Sequence, residues 1–338
     1  MTTKYKIVKI SRSVGAHGTQ DEVEEFAKIG AEIVEVADSN KSQVIEAVKD
    51  ADIFLQGDVL IPRSIMELAP KCRAIMTSAV GFDRIDLSAA TDNNIVVVNN
   101  PSFEWCVEEV SNHAILLILA CAKKLKILDN LASQGHWPEA RKMRSPMGSI
   151  YGQTLGIIGC GSIGRMVARK AKCFGLRVLG YDPYVEKYLA KENGITLVKL
   201  EELLSESDYV SAHPDLNTTS HHLMGEKEFR QMKTNAFFIN TSRGQIVDEP
   251  AIIKALDQKW IAGAGLDVFE KEPVDEDNPL NNRNNVIILP HSASYSDYAF
   301  SLAPKNIVNE ASRILNGKWP NNVVNKSVKP KFTLVKEN

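Results

Sequence analysis

Three short segments of the chain carry residue types suited to binding an anion and moving a proton. They are Ile239-Asn240-Thr241-Ser242-Arg243-Gly244, Gly265-Leu266-Asp267-Val268-Phe269-Glu270-Lys271-Glu272-Pro273 and Leu289-Pro290-His291-Ser292-Ala293. Each follows a β-rich run, and open α/β sheets bind ligands at the carboxyl ends of their strands. The planar guanidinium of Arg243 can hold a carboxylate by its fork and polarise a neighbouring carbonyl. An imidazole ionises near neutrality, so His291 is a candidate to give or take a proton. A carboxylate beside an imidazole fixes its orientation and favours its charged form, which is the part Glu272 would play. An anchor, a proton donor and an orienting carboxylate are what reduction of a small 2-keto acid by hydride requires. Singly, each residue has a plainer explanation: a surface ion pair, a turn residue after proline, a solvated charge. Their occurrence in this order, downstream of a nucleotide-binding fingerprint, makes them a set.

That fingerprint is Gly159-Cys160-Gly161-Ser162-Ile163-Gly164, placed between the β-run Leu155–Ile158 and a helical segment. Three glycines at this spacing are weak evidence alone, but strand before and helix after is the context the motif demands. Gly159 serves the tight turn, Gly161 the approach of a pyrophosphate and Gly164 the strand–helix packing. The helix start, with Cys160, Ser162 and Ile163, offers N–H groups to the phosphates. Asp182 ends the next strand 18 residues after Gly164. An acid there accepts from the adenosine ribose hydroxyls and repels a 2′-phosphate, so the expected cofactor is NAD.

The supporting elements read as two α/β units. The first has β-runs Lys6–Ile10, Ile33–Val36, Ile53–Leu55, Ala74–Met76 and Ile95–Val98, separated by helical Gln20–Ile29, Lys41–Lys49, Ser64–Leu68 and Leu87–Asp92. A long helix is expected over 104–125, followed by a polar connecting arm over Gln134–Ser149. Alternation resumes with Leu155–Ile158, Arg177–Tyr181, Thr196–Val198, Tyr209–Ala212, Phe237–Asn240, Gly263–Val268 and Val286–Leu289. Strands alternating with helices imply parallel sheets. A last helix spans Ser296–Leu315, and the Lys-rich tail after Pro320 is expected to be loosely held.

Length and composition agree. At about 150 residues per domain, 338 residues give two domains. With 40 Lys+Arg against 42 Asp+Glu the net charge is −2, so no nucleic acid or anionic membrane is expected as a partner. The five cysteines form no framework, which fits reduced thiols and a cytoplasmic protein, and no metal is expected. The apolar run Ala114–Ala122 is too short to span a bilayer, and Lys4 and Lys6 lead directly into Ile7–Ile10 without a signal-like segment.

Across nearly its whole length the sequence resembles the NAD-dependent D-2-hydroxyacid dehydrogenases. The likeness rests on Leu155–Gly164, Tyr181-Asp182-Pro183, Asn240-Thr-Ser-Arg-Gly, Val247-Asp-Glu, Asp267-Val-Phe-Glu-Lys-Glu-Pro and Pro290-His291. Cys106-Val-Glu-Glu-Val and Pro290-His-Ser-Ala-Ser-Tyr-Ser resemble the bacterial branch related to C-terminal binding protein. The resemblance implies Arg243 as substrate anchor, His291 as general acid/base and Glu272 as its partner. It also implies Asp267 orienting the nicotinamide carboxamide, with Thr241 and Ser242 along the ring. Val110, His213, Pro214 and Thr219 are implied as further cofactor contacts. It further implies a Rossmann domain over 104–295 inserted into a flavodoxin-like substrate domain made of 1–103 and 296–338. A cleft that closes between the two, and a homodimer formed through the central domain and the arm, are implied as well.

Four departures from the family pattern bear on substrate or cofactor. The loop Thr77-Ser78-Ala79-Val80-Gly81-Phe82-Asp83 keeps Val80 and Gly81 as backbone contacts for a carboxylate, but no Arg stands near Thr77–Ser78, which weakens phosphoglycerate. Ser294 stands where the nearest branch often has Trp, leaving room for a more polar side chain. Glu104-Trp105 is a two-residue addition at the hinge, where Trp105 would either wall the cleft or pack in the hinge. His213-Pro214-Asp215-Leu216 replaces the usual His-x-Pro-Leu and reshapes one edge of the cofactor pocket. The expected activity is hydride transfer between NAD(H) and a small 2-keto or D-2-hydroxy acid such as glyoxylate or hydroxypyruvate. The alternative is an NAD(H)-sensing regulator of the corepressor type.

Overall fold

Strands buried on both faces need unbroken apolar runs, and the chain supplies them in two sets. A computed structural model describes residues 4–12, 14, 19–57, 59–100 and 106–336. The chain divides into two compact units, one of Met1–Cys106 with Ser296–Asn338 and one of Val107–Tyr295.

The first unit runs β1 (Tyr5–Ser11), α1 (Thr19–Lys28), β2 (Ala31–Ala37), α2 (Lys41–Val48), β3 (Ile53–Gly57), α3 (Arg63–Met66), β4 (Ala74–Thr77), α4 (Leu87–Asp92) and β5 (Val96–Val98). Its five strands are parallel in the order β2-β1-β3-β4-β5. Alternate residues face two separate cores: Val8, Phe54 and Ile75 one way, Ile7, Ile53 and Met76 the other. Helix starts follow the cap chemistry of the sequence. Asn40 accepts the N–H of Gln43, and Asp86 that of Ala89.

In the second unit a helical approach, α5 (Glu108–Ala122), α6 (Leu125–Ser133) and α7 (Trp137–Met143), leads into the sheet. The sheet comprises β6 (Thr154–Ile158), β7 (Arg177–Tyr181), β8 (Thr196–Leu197), β9 (Tyr209–Ala212), β10 (Phe237–Asn240), β11 (Gly263–Leu266) and β12 (Val286–Ile288). Between them lie α8 (Ser162–Cys173), α9 (Lys187–Glu192), α10 (Leu200–Glu206), α11 (Glu226–Gln231) and α12 (Glu249–Asp257). The parallel order is β12-β11-β10-β9-β6-β7-β8. Strand order reverses at β6 and β9, so the crevice at their carboxyl ends is where such a sheet receives a ligand. The final helix, α13 (Asp297–Leu315), belongs to the first unit, where Ile307, Val308, Ala311 and Ile314 complete one core.

Three sequence expectations need correction. The expected helix over 104–125 is described from Glu108 and stops at Ala122, because Lys124 takes a left-handed conformation (φ 53°) and Lys126 belongs to α6. The arm over Gln134–Ser149 contains α7, since Pro138 falls in its first turn, where a missing N–H breaks no helical bond. The tail is not loose. Val328 is buried, and Asn325 accepts the N–H of Val97 while donating to the carbonyl of Ile95. Glu104 and Trp105 lie outside the described residues.

Among the described residues no helix is long and apolar enough to cross a membrane.

Candidate active site

The glycine turn after β6 shows three different needs for the same residue type. Gly159 has φ 88°, and a Cβ on it would stand 2.5 Å from the backbone nitrogen of Pro214. A Cβ on Gly164 would stand 2.1 Å from the carbonyl oxygen of Gly159, so the start of α8 packs directly on the turn. At Gly161 a Cβ would meet nothing within 4 Å. Open space there, at the N-terminus of a 12-residue helix whose cap has no side chain, suits an approaching diphosphate. Asp182, beyond β7, accepts from Cys160 N at 2.8 Å through Oδ2, and from Tyr184 N and Val185 N at 2.8 and 3.0 Å through Oδ1. Its carboxylate therefore ties the glycine turn to the loop after β7.

On the other side of the crevice, His213 bonds its N–H to the carbonyl of Ile158 and its Nε2 to Ser211 Oγ at 2.8 Å. Burial pushes its pKa down to about 4, so the ring is neutral under ordinary conditions, and Nδ1 is buried without a partner. Thr241 Oγ1 is likewise buried without a hydrogen bond, and Ser242 Oγ donates to the carbonyl of Pro214. Buried polar atoms without partners are uncommon in native folds. Two of them on the loops that follow β9 and β10, with the open cradle at Gly161, fit a dinucleotide. Gly159–Gly164 would receive the diphosphate, Asp182 the ribose, and Thr241 the nicotinamide end, where the bound cofactor supplies or accepts the hydride.

The candidate anchor and acid–base residues are built on the loops after β10, β11 and β12. Asn240 shapes the first: its Nδ2 donates to the carbonyl of Arg243, and its Oδ1 accepts from Ser242 N. Gly244 then lies so close to the next loop that a Cβ would fall 1.8 Å from the carbonyl carbon of Phe269. This contact sets the Arg243 turn against the segment carrying Glu272. Glu272 Oε1 accepts the N–H of Phe269 at 3.0 Å, and Oε2 lies 2.8 Å from His291 Nδ1. With Nδ1 engaged, Nε2 is the nitrogen left for a substrate oxygen. His291 itself has φ 53°, a left-handed conformation uncommon for a residue with a side chain. Its N–H donates to the carbonyl of Asp267 at 2.8 Å.

Asp267 is fully buried. Its carboxylate accepts from Ser292 N at 2.9 Å and Ala293 N at 2.8 Å, so it holds the turn that follows His291. Ser294, next along, is half-buried. Val110 is buried on α5, and the exposed Thr219 meets the hydroxyl of Tyr184 at 3.3 Å. In the first unit the N–H groups of Val80 and Gly81 have no acceptor among the described residues, while Asn99 anchors the carbonyl of Val80. Sequence reading passed over Asn240 as the shaper of the Arg243 turn, and His113, whose Nε2 stands 3.4 Å from Asp267 Oδ1. The four-residue step from His113 to Leu117 on an apolar helix was the available signal for the second.

Residues 115–293 match the family described as D-isomer specific 2-hydroxyacid dehydrogenase, NAD binding domain. A glyoxylate reductase of Korarchaeum cryptofilum is 41% identical over 295 residues, covering 86% of this chain and 88% of its own. An NADPH-dependent glyoxylate/hydroxypyruvate reductase of Sinorhizobium meliloti, solved with NADP and malonate, superposes with a TM-score of 0.85 at 25% identity, over 98% and 100% of the two chains. A D-lactate dehydrogenase of Aquifex aeolicus, solved with NAD and lactic acid, gives 0.81 at 29% identity over 92% and 96%. The chain belongs to the D-isomer-specific 2-hydroxyacid dehydrogenases. It is an NAD-dependent oxidoreductase that transfers a hydride between a keto acid and a hydroxy acid.

Proposed function

We propose that this enzyme reduces glyoxylate, hydroxypyruvate or a related small polar 2-keto acid with NADH, giving the D-2-hydroxy acid. The observation that carries this reading is the Glu272–His291 pair, set on a left-handed turn beside the loop of Arg243. His291 Nε2 protonates the carbonyl oxygen as the hydride arrives, and Glu272 holds the ring and balances its charge. Arg243 grips the carboxylate and draws electron density from the carbonyl. The N–H groups of Val80 and Gly81, without an acceptor among the described residues, support their turn as a carboxylate-binding loop. The half-buried hydroxyl of Ser294, in place of an indole, supports acceptance of a polar side chain.

Similarity to the glyoxylate reductase of Korarchaeum cryptofilum favours glyoxylate. The run Pro290–Ser296 supports a place near the branch related to C-terminal binding protein. A homodimer is supported by α6, which buries none of its residues and exposes Leu125, and by exposed Trp137 on α7. The absence of disulfides among the described cysteines supports a cytoplasmic location.

The test is NADH oxidation, followed by absorbance, against a panel of 2-keto acids, with His291→Gln in parallel. Turnover of glyoxylate or hydroxypyruvate, abolished in the variant, is expected. NADH binding without turnover of any keto acid would overturn the reading in favour of an NAD(H)-sensing regulator.

A further inference from the structure

Asp267 is a carboxylate with no exposed surface, and burying such a charge is costly unless it is well compensated. Three donors reach it from one side: Ser292 N, Ala293 N and, at 3.3 Å, Ser292 Oγ. The remaining neighbour comes from α5. His113 places Nε2 3.4 Å from Oδ1, and it is the one side chain able to carry positive charge within ion-pair distance of Asp267 among the described residues. That nitrogen is buried and makes no hydrogen bond, so its approach to Oδ1 is a contact at ion-pair distance.

The meeting follows from register. A Cβ on Gly265 would stand 3.1 Å from Leu117 Cβ, so α5 crosses β11 at that glycine. From Leu117 back to His113 is one helical turn, about 6 Å of rise. From Gly265 on to Asp267 is two strand residues, about 6.6 Å. The two steps match, and the absence of a side chain at Gly265 lets the helix approach closely enough for the imidazole to reach the carboxylate.

We infer that His113 is a positioning residue for the hydride-transfer site. It fixes Asp267 from behind, and Asp267 in turn fixes the backbone of 291–293 and thus the direction of the His291 ring. His113 touches neither substrate nor the reacting atoms in this scheme. The inference rests on His291 as the proton donor, and the experiment separates failure of the two.

The variants are His113→Leu, which removes the polar contact, and His113→Gln, whose amide keeps a polar N–H able to face Oδ1. The first measurement is hydrogen exchange of the peptide containing Ser292 and Ala293 in the cofactor-free protein, which needs no activity. His113→Leu is expected to speed exchange in that peptide about tenfold, with β6 and β9 unchanged, and His113→Gln to restore most of the protection. The second measurement is steady-state kinetics with whichever 2-keto acid the wild-type enzyme turns over. There kcat is expected to fall roughly tenfold in His113→Leu, with a larger primary isotope effect from deuterated NADH and an NADH Kd within threefold of wild type. Unchanged exchange at 292–293 overturns the inference whatever the substrate proves to be. Equal loss in both variants, or exchange raised throughout the sheet, assigns His113 a packing role and overturns it as well. Altered exchange in a protein whose His291→Gln variant is fully active would instead overturn the reading of His291.

Discussion

Nδ1 of His291 lies 2.8 Å from Oε2 of Glu272, and the other oxygen of that carboxylate accepts the N–H of Phe269. The carboxylate is thereby fixed from its own loop while it orients a ring on the next. Replacing Glu272 with Gln keeps the shape and loses the charge that balances an imidazolium. We expect kcat to fall by 10- to 100-fold with NADH affinity preserved, read by steady-state kinetics and fluorescence titration. His291→Gln is expected to lose 10²–10⁴-fold, the usual worth of a general acid.

Arg243 is held by a turn that Asn240 shapes, so its guanidinium works from a fixed base. Lysine preserves the charge and loses the planar fork. Arg243→Lys is expected to raise KM for the keto acid and to lower kcat/KM by roughly 100-fold, about 2.7 kcal/mol of transition-state stabilisation. An unaltered kcat/KM would show that the carboxylate is anchored elsewhere.

Asp182 has two tasks. It accepts three backbone N–H groups, and in the proposed cofactor pose it also holds the adenosine ribose. Asp182→Ala is therefore expected to lower the preference for NADH over NADPH by at least about tenfold and also to lower the melting temperature. Asp182→Asn, which keeps an acceptor oxygen, is expected to retain more of the stability than of the selectivity. Ratios of kcat/KM and thermal melts separate the two effects.

The three glycines should respond differently to a single methyl. Gly159→Ala and Gly164→Ala place a Cβ 2.5 Å and 2.1 Å from backbone atoms and should fold poorly or melt far lower. Gly161→Ala meets open space and should fold normally while weakening NADH binding. Calorimetry paired with NADH titration checks this contrast.

His213 is pushed down to about 4 by burial, from an ordinary value near 6.5. Between those values the unfolded chain binds a proton that the folded chain does not, so stability rises with pH there. Its contribution is complete above about pH 6.5 and is lost as pH falls toward 4, amounting to about 3 kcal/mol at most. His213→Asn is expected to flatten the fall in melting temperature across this window relative to wild type. An identical pH dependence would show that the ring titrates normally in the folded protein.

Strands were legible because a parallel sheet demands contiguous β-branched and apolar residues. β7, β9 and β10 begin and end where the periodicity places them, and β1 and β6 differ by a residue at one or both ends. The glycine turn and Asp182 were legible because close backbone approach admits a single residue type at fixed spacing. The helix α7 was obscured by Pro138 and by Gly135 and Pro146 around it, which read as loop punctuation without the helix start to place them. The tail after Pro320 was misread because its burial depends on the edge strand β5, more than 200 residues away in the chain, whose Val97 N–H it satisfies.

The sequence by itself determined the repeating α/β pattern and the glycine turn, and singled out Arg243, Glu272 and His291 as candidates. These depend on short-range rules: side-chain periodicity, conformational freedom at glycine and the chemistry of each functional group. Only the tertiary structure decided how those groups are held. That Gly244 packs on Phe269, that Asp267 grips the turn after His291, and that His113 reaches Asp267 from α5 are consequences of loops meeting across neighbouring strands and of a helix crossing at Gly265. Such meetings depend on the packing of segments distant in sequence, which local spacing does not encode.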